Sequence, residues 1–424
     1  MIAAFIAMLW LVPFDTISLT VSLPFDLHFD RIVLPFVILA WGLTVVRSPG
    51  HRLKPTLVHI AVGGFVLVAL VSVAVNASAL NESLELSNAI KSLLLLASYA
   101  TFFMVIASSV RPSEVRPFIN YTLCLAVLCG LGTLVEYRFH YNVFYALSAK
   151  LLPSIFKVLP PGGLGTDELG RPVVLGPGEI GLEVASMLAM AVPLALVGLM
   201  SATRRREKLW YLFASCVVLA AGLATYKKTA LVAPAIVVFL LILVRPRQIM
   251  RLAPVLVVIA LGAHILAPGA FGSVVEQFTG GRLTSVGTTQ HREDGYDAIR
   301  PLVWANPLLG MGYGSYNGEL NRILDNQMLD NAIDTGLLGL IAYILMPLSV
   351  IAAAWPMIRG PANARAAPAL CVALGAIVFL TVSLLFDAMS FPHVPYIFLA
   401  AAGFAAVLAQ EHHHRRPAAP TTVG

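Results

Sequence analysis

Runs of about 20 apolar residues recur along almost the whole chain, the length a helix needs to cross the hydrocarbon core of a bilayer. Inside a bilayer only helices and closed barrels satisfy every backbone N–H and C=O, and uninterrupted runs of this length specify helices. The runs fall near 31–46, 57–76, 88–108, 118–136, 180–200, 209–226, 229–244, 252–270, 332–357, 366–386 and 393–410. Residues 1–14 make a weaker run with neither a basic start nor a small-residue cleavage site, which reads as a retained helix. Composition agrees: 12% of the 424 residues are charged, against roughly 25% in soluble domains, and the mean hydropathy is +0.83. The expectation is an all-α polytopic integral membrane protein forming one domain over 1–424. It has about 12 transmembrane helices, or eleven if the first lies in the interface.

Orientation follows from the short loops, because Lys and Arg accumulate on the cytoplasmic side. Alternate loops are basic: Arg47, Arg52 and Lys54; Arg111 and Arg116; Arg204 to Arg206 and Lys208; Arg245, Arg247 and Arg251; Arg359 and Arg365; Arg415 and Arg416. Both termini are therefore expected in the cytoplasm, with 411–424 as a tail, and the long loops at 137–179 and 271–331 face outward. The net charge of +6 is an inner-face bias rather than a nucleic-acid footprint, so no nucleic-acid partner is expected. The first long loop carries an amphipathic piece, Asn142 to Leu147, suited to the outer membrane surface. Cys124, Cys129, Cys216 and Cys371 all fall inside apolar runs, where Cys packs as a small hydrophobe. With no ligand-spaced His cluster either, neither a disulfide framework, a metal site nor a cofactor is expected.

The polar interruption between His264 and Gly336 holds most of the candidate chemistry: Arg282, His291, Arg292, Arg300, Arg322, a Gly310-x-Gly312-x-Gly314 turn, and Asp325-Asn326. Arg171, Arg282, Arg292 and Arg300 face outward against the charge bias, and the guanidinium fork matches phosphate. Arg292, Tyr296 and Arg300 share one helical face, although Glu293, Asp294 and Asp297 offer each arginine an ion pair instead. Lys227 and Lys228 form the whole turn between two runs. They either snorkel to the outer headgroups or hold an anionic lipid head or diphosphate. The glycine turn follows Asn306-Pro307 rather than a strand and lies outside the cytoplasm, so it reads as a tight backbone path, not a nucleotide loop. Asn326, Asp330 and Asp334 fall at i, i+4, i+8 and would line one stripe of the helix entering the membrane. The helix dipole accounts for Asp330 in a first turn, and less well for Asp334 about a turn deeper. Asp325 sits at the helix mouth, placed to accept a proton from a bound hydroxyl.

These motifs have a familiar order. Arg292, Trp304-x-x-Pro307-Leu308-Leu309-Gly310-x-Gly312, Asn326-x-x-Leu329 and Asp334-x-Gly336-Leu337-Leu338-Gly339-Leu340 together resemble the O-antigen ligase and polymerase superfamily. Thr225-Tyr226-Lys227-Lys228-Thr229-Ala230 is similar to that family's Thr-x-Ser-Arg-Gly-Ala turn, with Lys228 in the arginine place. The resemblance covers the second half of the chain, chiefly 171–345. It implies a membrane glycosyltransferase of the inner membrane, working on its outer face. The donor it implies is a glycan on a polyprenyl diphosphate, and the acceptor a sugar of a glycan or glycolipid; the transfer is metal-independent and inverting. The roles it implies are Arg171, Lys227, Lys228, Arg282, Arg292 and Arg300 on the diphosphate, Asp325 as base, and Asn326 and Asp334 beside the acceptor. The family's ligases have His-Asn where this chain has Asp325-Asn326, and Ser-Arg in place of Lys227-Lys228; both departures tilt the reading towards a polymerase or an unusual ligase.

A transporter or flippase for lipid-linked or amphipathic substrates is the competing class. Carriers commonly show related halves and charges near mid-membrane. Here the halves show no repeat, and Lys91, Glu136 and Glu183 lie near the ends of their runs.

Overall fold

The computed structural model describes residues 1–20, 35–39, 41–42, 55–159, 165–166, 170–279, 299–316, 324, 326–359 and 365–414. In chain order the helices begin with α1 (Ile2–Leu11), α2 (Leu57–Val75), α3 (Ala77–Glu82), α4 (Leu86–Ser109), α5 (Val115–Phe139) and α6 (Val143–Leu151). Then come α7 (Gly181–Ser201), α8 (Arg205–Ala224), α9 (Thr229–Val244), α10 (Pro246–Leu266) and α11 (Ala270–Thr279). After a short helix over 299–305 follow α12 (Gln327–Asp334), α13 (Gly336–Arg359), α14 (Ala366–Ser383) and α15 (His393–His414). Among the described residues, nine helices are long and apolar enough to cross a bilayer: α2, α4, α5, α7, α8, α10, α13, α14 and α15. The protein is an all-α, multi-pass membrane protein, with one small sheet in which β1 (Ile17–Leu19) runs antiparallel to β2 (Phe156–Val158).

Four of the expected runs depart from full-length spans, one of them being 229–244, which forms the 16-residue α9. The run near 31–46 falls largely outside the described residues. The first helix has 10 residues, a rise of about 15 Å against a hydrocarbon core of about 30 Å, so its helical part is shorter than a full span. It packs beside α5 and α15, burying Phe5, Ile6, Leu9 and Trp10. The run near 332–357 is two helices, not one, and the break positions the site described below.

The centre of the bundle is α7, α14 and α15, the most enclosed of the spans, whereas α10 lies at the periphery. Small residues on the central helices, among them Ala369, Ala373 and Ala376 on α14 and Ala402, Ala405 and Ala406 on α15, let backbones approach closely. Phe379 of α14 stacks on Phe398 of α15 with ring centroids 4.0 Å apart. Successive spans run up and down. One end of the bundle therefore collects the basic helix termini, where Arg365 at the start of α14 pairs with Glu411 near the end of α15. The other end collects the starts of α7, α13 and α15.

At that second end the chain breaks between α12 and α13. Gly336 adopts φ +64° and Gly310, in the facing segment, φ +66°. The carbonyls that a continuous helix would have used are taken up elsewhere: Met311 N–H donates to Ile333 O at 2.9 Å, and Gly312 N–H to Asp334 O at 2.9 Å. In return Leu337 N–H donates to Pro307 O at 2.8 Å, and Ser72 Oγ of α2 donates to Leu309 O and Asp334 O. Asn76 Nδ2 completes the join on Gly310 O at 3.1 Å. A broken helix is tolerated at membrane depth only when its freed backbone groups are re-satisfied in this way.

A Cβ at Gly310 would meet the Asp334 carbonyl carbon at 2.4 Å, and one at Gly336 the Leu308 carbonyl carbon at 2.4 Å. Left-handed backbone adds roughly 1–2 kcal/mol for an L-residue. Gly310→Ala and Gly336→Ala should each lower the apparent Tm of the detergent-solubilised protein by about 5 °C or more. Gly375→Ala, where a Cβ meets nothing within 4 Å, should leave it in place. Unchanged melting of the first two variants would remove the steric account of the break.

Candidate functional site

The α12–α13 break builds an acidic cluster. Asn326 caps α12, its Oδ1 accepting from Met328 N–H at 2.9 Å, and the helix buries Gln327, Asn331 and Asp334. Asp334 accepts from Gly314 N–H at 2.6 Å and Tyr316 N–H at 3.0 Å, so its carboxylate organises the Gly310–Gly314 turn. Gln327 then clips α12 to the loop between α14 and α15. Its backbone N–H donates to Phe386 O, its Oε1 accepts from Met389 N–H at 2.6 Å, and its Nε2 donates to Asp330 Oδ2 at 3.2 Å. That clip brings Asp387, which accepts from Ser390 Oγ, to the same cluster. Asp387 Oδ1, Ser315 Oγ and both amide atoms of Asn331 are buried without a hydrogen-bond partner.

Three carboxyls so placed cannot all be ionised cheaply. Burial pushes Asp330 well above the usual carboxylate range, and the charges of Asp334 and Asp387 add to the shift. Burial raises Asp334 to about 7 against the opposing pull of the Gly314 and Tyr316 amides. Asp387 is also raised by burial, with hydrogen bonds from Ser390 and Met389 acting the other way. Tyr313, packed edge-on to Phe65, is kept neutral by burial and by the same three acids.

A second group is cationic. Thr225 to Lys228 connect α8 to α9, and Tyr226 in that turn has φ +57°. A left-handed backbone is unusual for a bulky side chain, and strain of this kind gathers at functional sites. The Arg171 guanidinium lies 4.7 Å from the Tyr226 ring centroid, and the Tyr137 ring centroid is 5.9 Å from it. Lys227 runs beside the start of α7, where a Cβ on Gly181 would sit 3.6 Å from its Cε, while Lys228 is the N-cap residue of α9. Arg171, distant in sequence, is thus brought to the turn that carries Lys227 and Lys228.

The same end of the bundle holds a buried pair. His393, first residue of α15, places Nδ1 2.5 Å from Glu183 Oε1 of α7, and stacks on Phe14 at 4.8 Å. Its Nε2 lies 2.9 Å from Val12 O, which can only accept, so Nε2 carries a hydrogen. One proton is then left for Nδ1 and Glu183 to share. Glu183 Oε2 accepts from Glu179 N–H at 2.8 Å. Glu183 lies on the first turn of α7 and His393 opens α15 six residues after Asp387, so the acidic cluster, the pair and the lysine turn lie at the same end of the bundle, its polar belt.

Of the other residues singled out in the sequence, Arg300 is exposed on the short helix over 299–305. Arg282, Arg292 and Asp325 lie outside the described residues. Glu136 accepts from Gly176 N–H at 2.6 Å, Leu175 N–H at 3.2 Å and Asn142 Nδ2 at 3.0 Å, which fixes the loop before α7. Asp387 and the Glu183–His393 pair were not assigned to the site from sequence. The readable signal for Asp387 was a lone acid between two apolar runs, which in a membrane protein marks a functional position by default. Among the described residues no group of three or more His, Cys, Asp or Glu is placed to hold a metal ion. No protein-family model and no curated protein matches the chain.

The raised carboxyls set a pH dependence. An acid raised from 3.8 unfolded to about 7 folded binds its proton more tightly in the native state. Its contribution is full below about pH 4 and is lost as pH rises through about 7. Tm should therefore fall between these values, with a shallower slope in Asp334→Asn; a flat profile would contradict the burial of this cluster. Gln327→Leu, which removes both side-chain links, should cost about 1–3 kcal/mol in thermal or denaturant unfolding.

Proposed function

We propose that the chain is a membrane glycosyltransferase of the O-antigen ligase and polymerase type. In this reading it joins a glycan from a polyprenyl diphosphate donor to an acceptor sugar on the outer face of the cytoplasmic membrane. It has about 12 spans, both termini are cytoplasmic, and the polar belt faces outward, as the basic loops at the opposite bundle end favour. The observation that carries the reading is the placing of Arg171 against the turn that holds Lys227 and Lys228, at the bundle end that also holds a cluster of buried acids. Glycosyl transfer from a diphosphate needs these two things: cations on the leaving group and a carboxylate on the acceptor.

The chemistry balances simply. The acceptor hydroxyl oxygen attacks the anomeric carbon from the face opposite the diphosphate and forms the new glycosidic bond. The bond from that carbon to the phosphate oxygen breaks, its electron pair leaves on the diphosphate, and the hydroxyl proton passes to a carboxylate. Inversion follows from the single displacement. Asp325 is the assigned base, with Asn326 beside it; Arg292, Arg282 and Arg300 add to the charge facing the diphosphate.

The test is a proteoliposome assay with labelled lipid-linked oligosaccharide. Joined product is expected, as a ladder for a polymerase or a single addition for a ligase. Arg171→Gln and Lys228→Ala should each lower kcat/KM about 100- to 1,000-fold, the scale of removing one preorganised donor. Asp325→Asn should abolish joining at normal protein level; full activity would remove it as base and turn attention to Asp387. Donor that crosses leaflets without being joined would favour a carrier instead. The observation that keeps this second reading in view is the Glu183–His393 pair, which holds one shareable proton between α1, α7 and α15.

A further inference from the structure

The basic end of the bundle carries a feature that glycosyl transfer does not use. Between α9, α13 and α14 a crevice of about 600 Å³ is walled by Leu240, Leu243, Ile351, Leu374 and Ile377. At its mouth stand Arg245, at the end of α9, and Arg359, at the end of α13. Arg245 Nη2 donates to Ile358 O at 3.0 Å, which places its guanidinium beside the residue that precedes Arg359. Arg359 lies over the Trp355 ring, 4.5 Å from the centroid, and that contact holds its charge against the crevice.

Neither guanidinium has a carboxylate partner among the described residues. The ion pair at this end belongs to Arg365 and Glu411. Arg245 spends one of its five N–H donors on Ile358 and keeps the rest for another acceptor. Two adjacent unneutralised cations repel each other, and an anion shared between them removes that cost. The walls beneath them are apolar, and Leu243 and Trp355 at the rim are 62% and 39% exposed, facing outward from the bundle. A small free anion would use the arginines and leave the walls bare. A phosphate carrying hydrocarbon chains uses both.

We propose that this crevice binds an anionic glycerophospholipid, with its phosphate between Arg245 and Arg359 and an acyl chain along α9, α13 and α14. Basic pockets between membrane helices are suited to such headgroups, and Trp355 stands where an interfacial aromatic belongs. The site lies at the bundle end opposite the polar belt, so the proposal is independent of the reaction assigned there.

Native mass spectrometry of the full-length protein, purified in detergent, tests it with three additives: dioleoylphosphatidylglycerol, dioleoylphosphatidylcholine and inorganic phosphate. The expected result is bound phosphatidylglycerol in excess of phosphatidylcholine, lowered about tenfold or more in R245Q/R359Q, with phosphatidylcholine unchanged. Equal binding of the two lipids, or an unchanged double variant, overturns the proposal in favour of ordinary boundary lipid. Retention of inorganic phosphate alone at the wild-type arginines overturns it in favour of a free-anion site. A second measurement needs no arginine variant: chain-brominated phosphatidylglycerol should quench wild-type tryptophan fluorescence beyond that of Trp355→Phe, and brominated phosphatidylcholine should not. Equal quenching by both lipids overturns the assignment.

Discussion

The break between α12 and α13 is the constraint on which the rest of the polar architecture depends. In a low-dielectric setting every backbone carbonyl released from a helix must find a donor, because each orphan costs several kcal/mol. Here the donors are the amides of Met311 and Gly312 and the hydroxyl of Ser72. The segment after Asn306 is thereby pinned against the helix break, and the pinned segment in turn presents Gly314 and Tyr316 to Asp334. Remove the break and the turn has nothing to close on. Keep it, and Asp330, Asp334 and Gln327 are fixed at one end of the bundle, ready to meet the loop before α15.

Charge is separated along the bundle with some economy. Acids raised by burial gather at one end with the Glu183–His393 pair and the Lys227–Lys228 turn; Arg245 and Arg359, with no carboxylate partner among the described residues, stand at the other. The spans between are packed through small residues and aromatic stacks, such as Phe379 on Phe398. Such a core resists compression, so the two ends are held at a fixed separation. That separation lets one chain carry a polar belt for phosphate and sugar chemistry, as proposed, and a lipid-facing crevice distinct from it.

Much of the fold was legible in the sequence. Nine of the expected runs overlap helices within about six residues, because a run of about 20 apolar residues has few other ways to satisfy its backbone in a bilayer. The exceptions are instructive. Residues 1–14 have the composition of a span but only ten helical residues, and composition does not report length. The run near 332–357 reads as continuous, since Thr335-Gly336 is a mild interruption until a second segment competes for its hydrogen bonds. The cationic group was nameable from residue types, and its convergence on Tyr226 came from packing. Asp387 was passed over because Gln327, which ties Phe386 and Met389 on either side of it to α12, lies some sixty residues away.

By itself the sequence determined the class of molecule: a helical, multi-pass membrane protein, with its positive charge on alternate loops. It could do so because hydrophobic run length and loop charge are local quantities, each readable within a few residues. Only the tertiary structure decided which polar residues meet. Burial, hydrogen-bond completion and the sharing of a proton between Glu183 and His393 depend on distances between helices, and no local pattern encodes those.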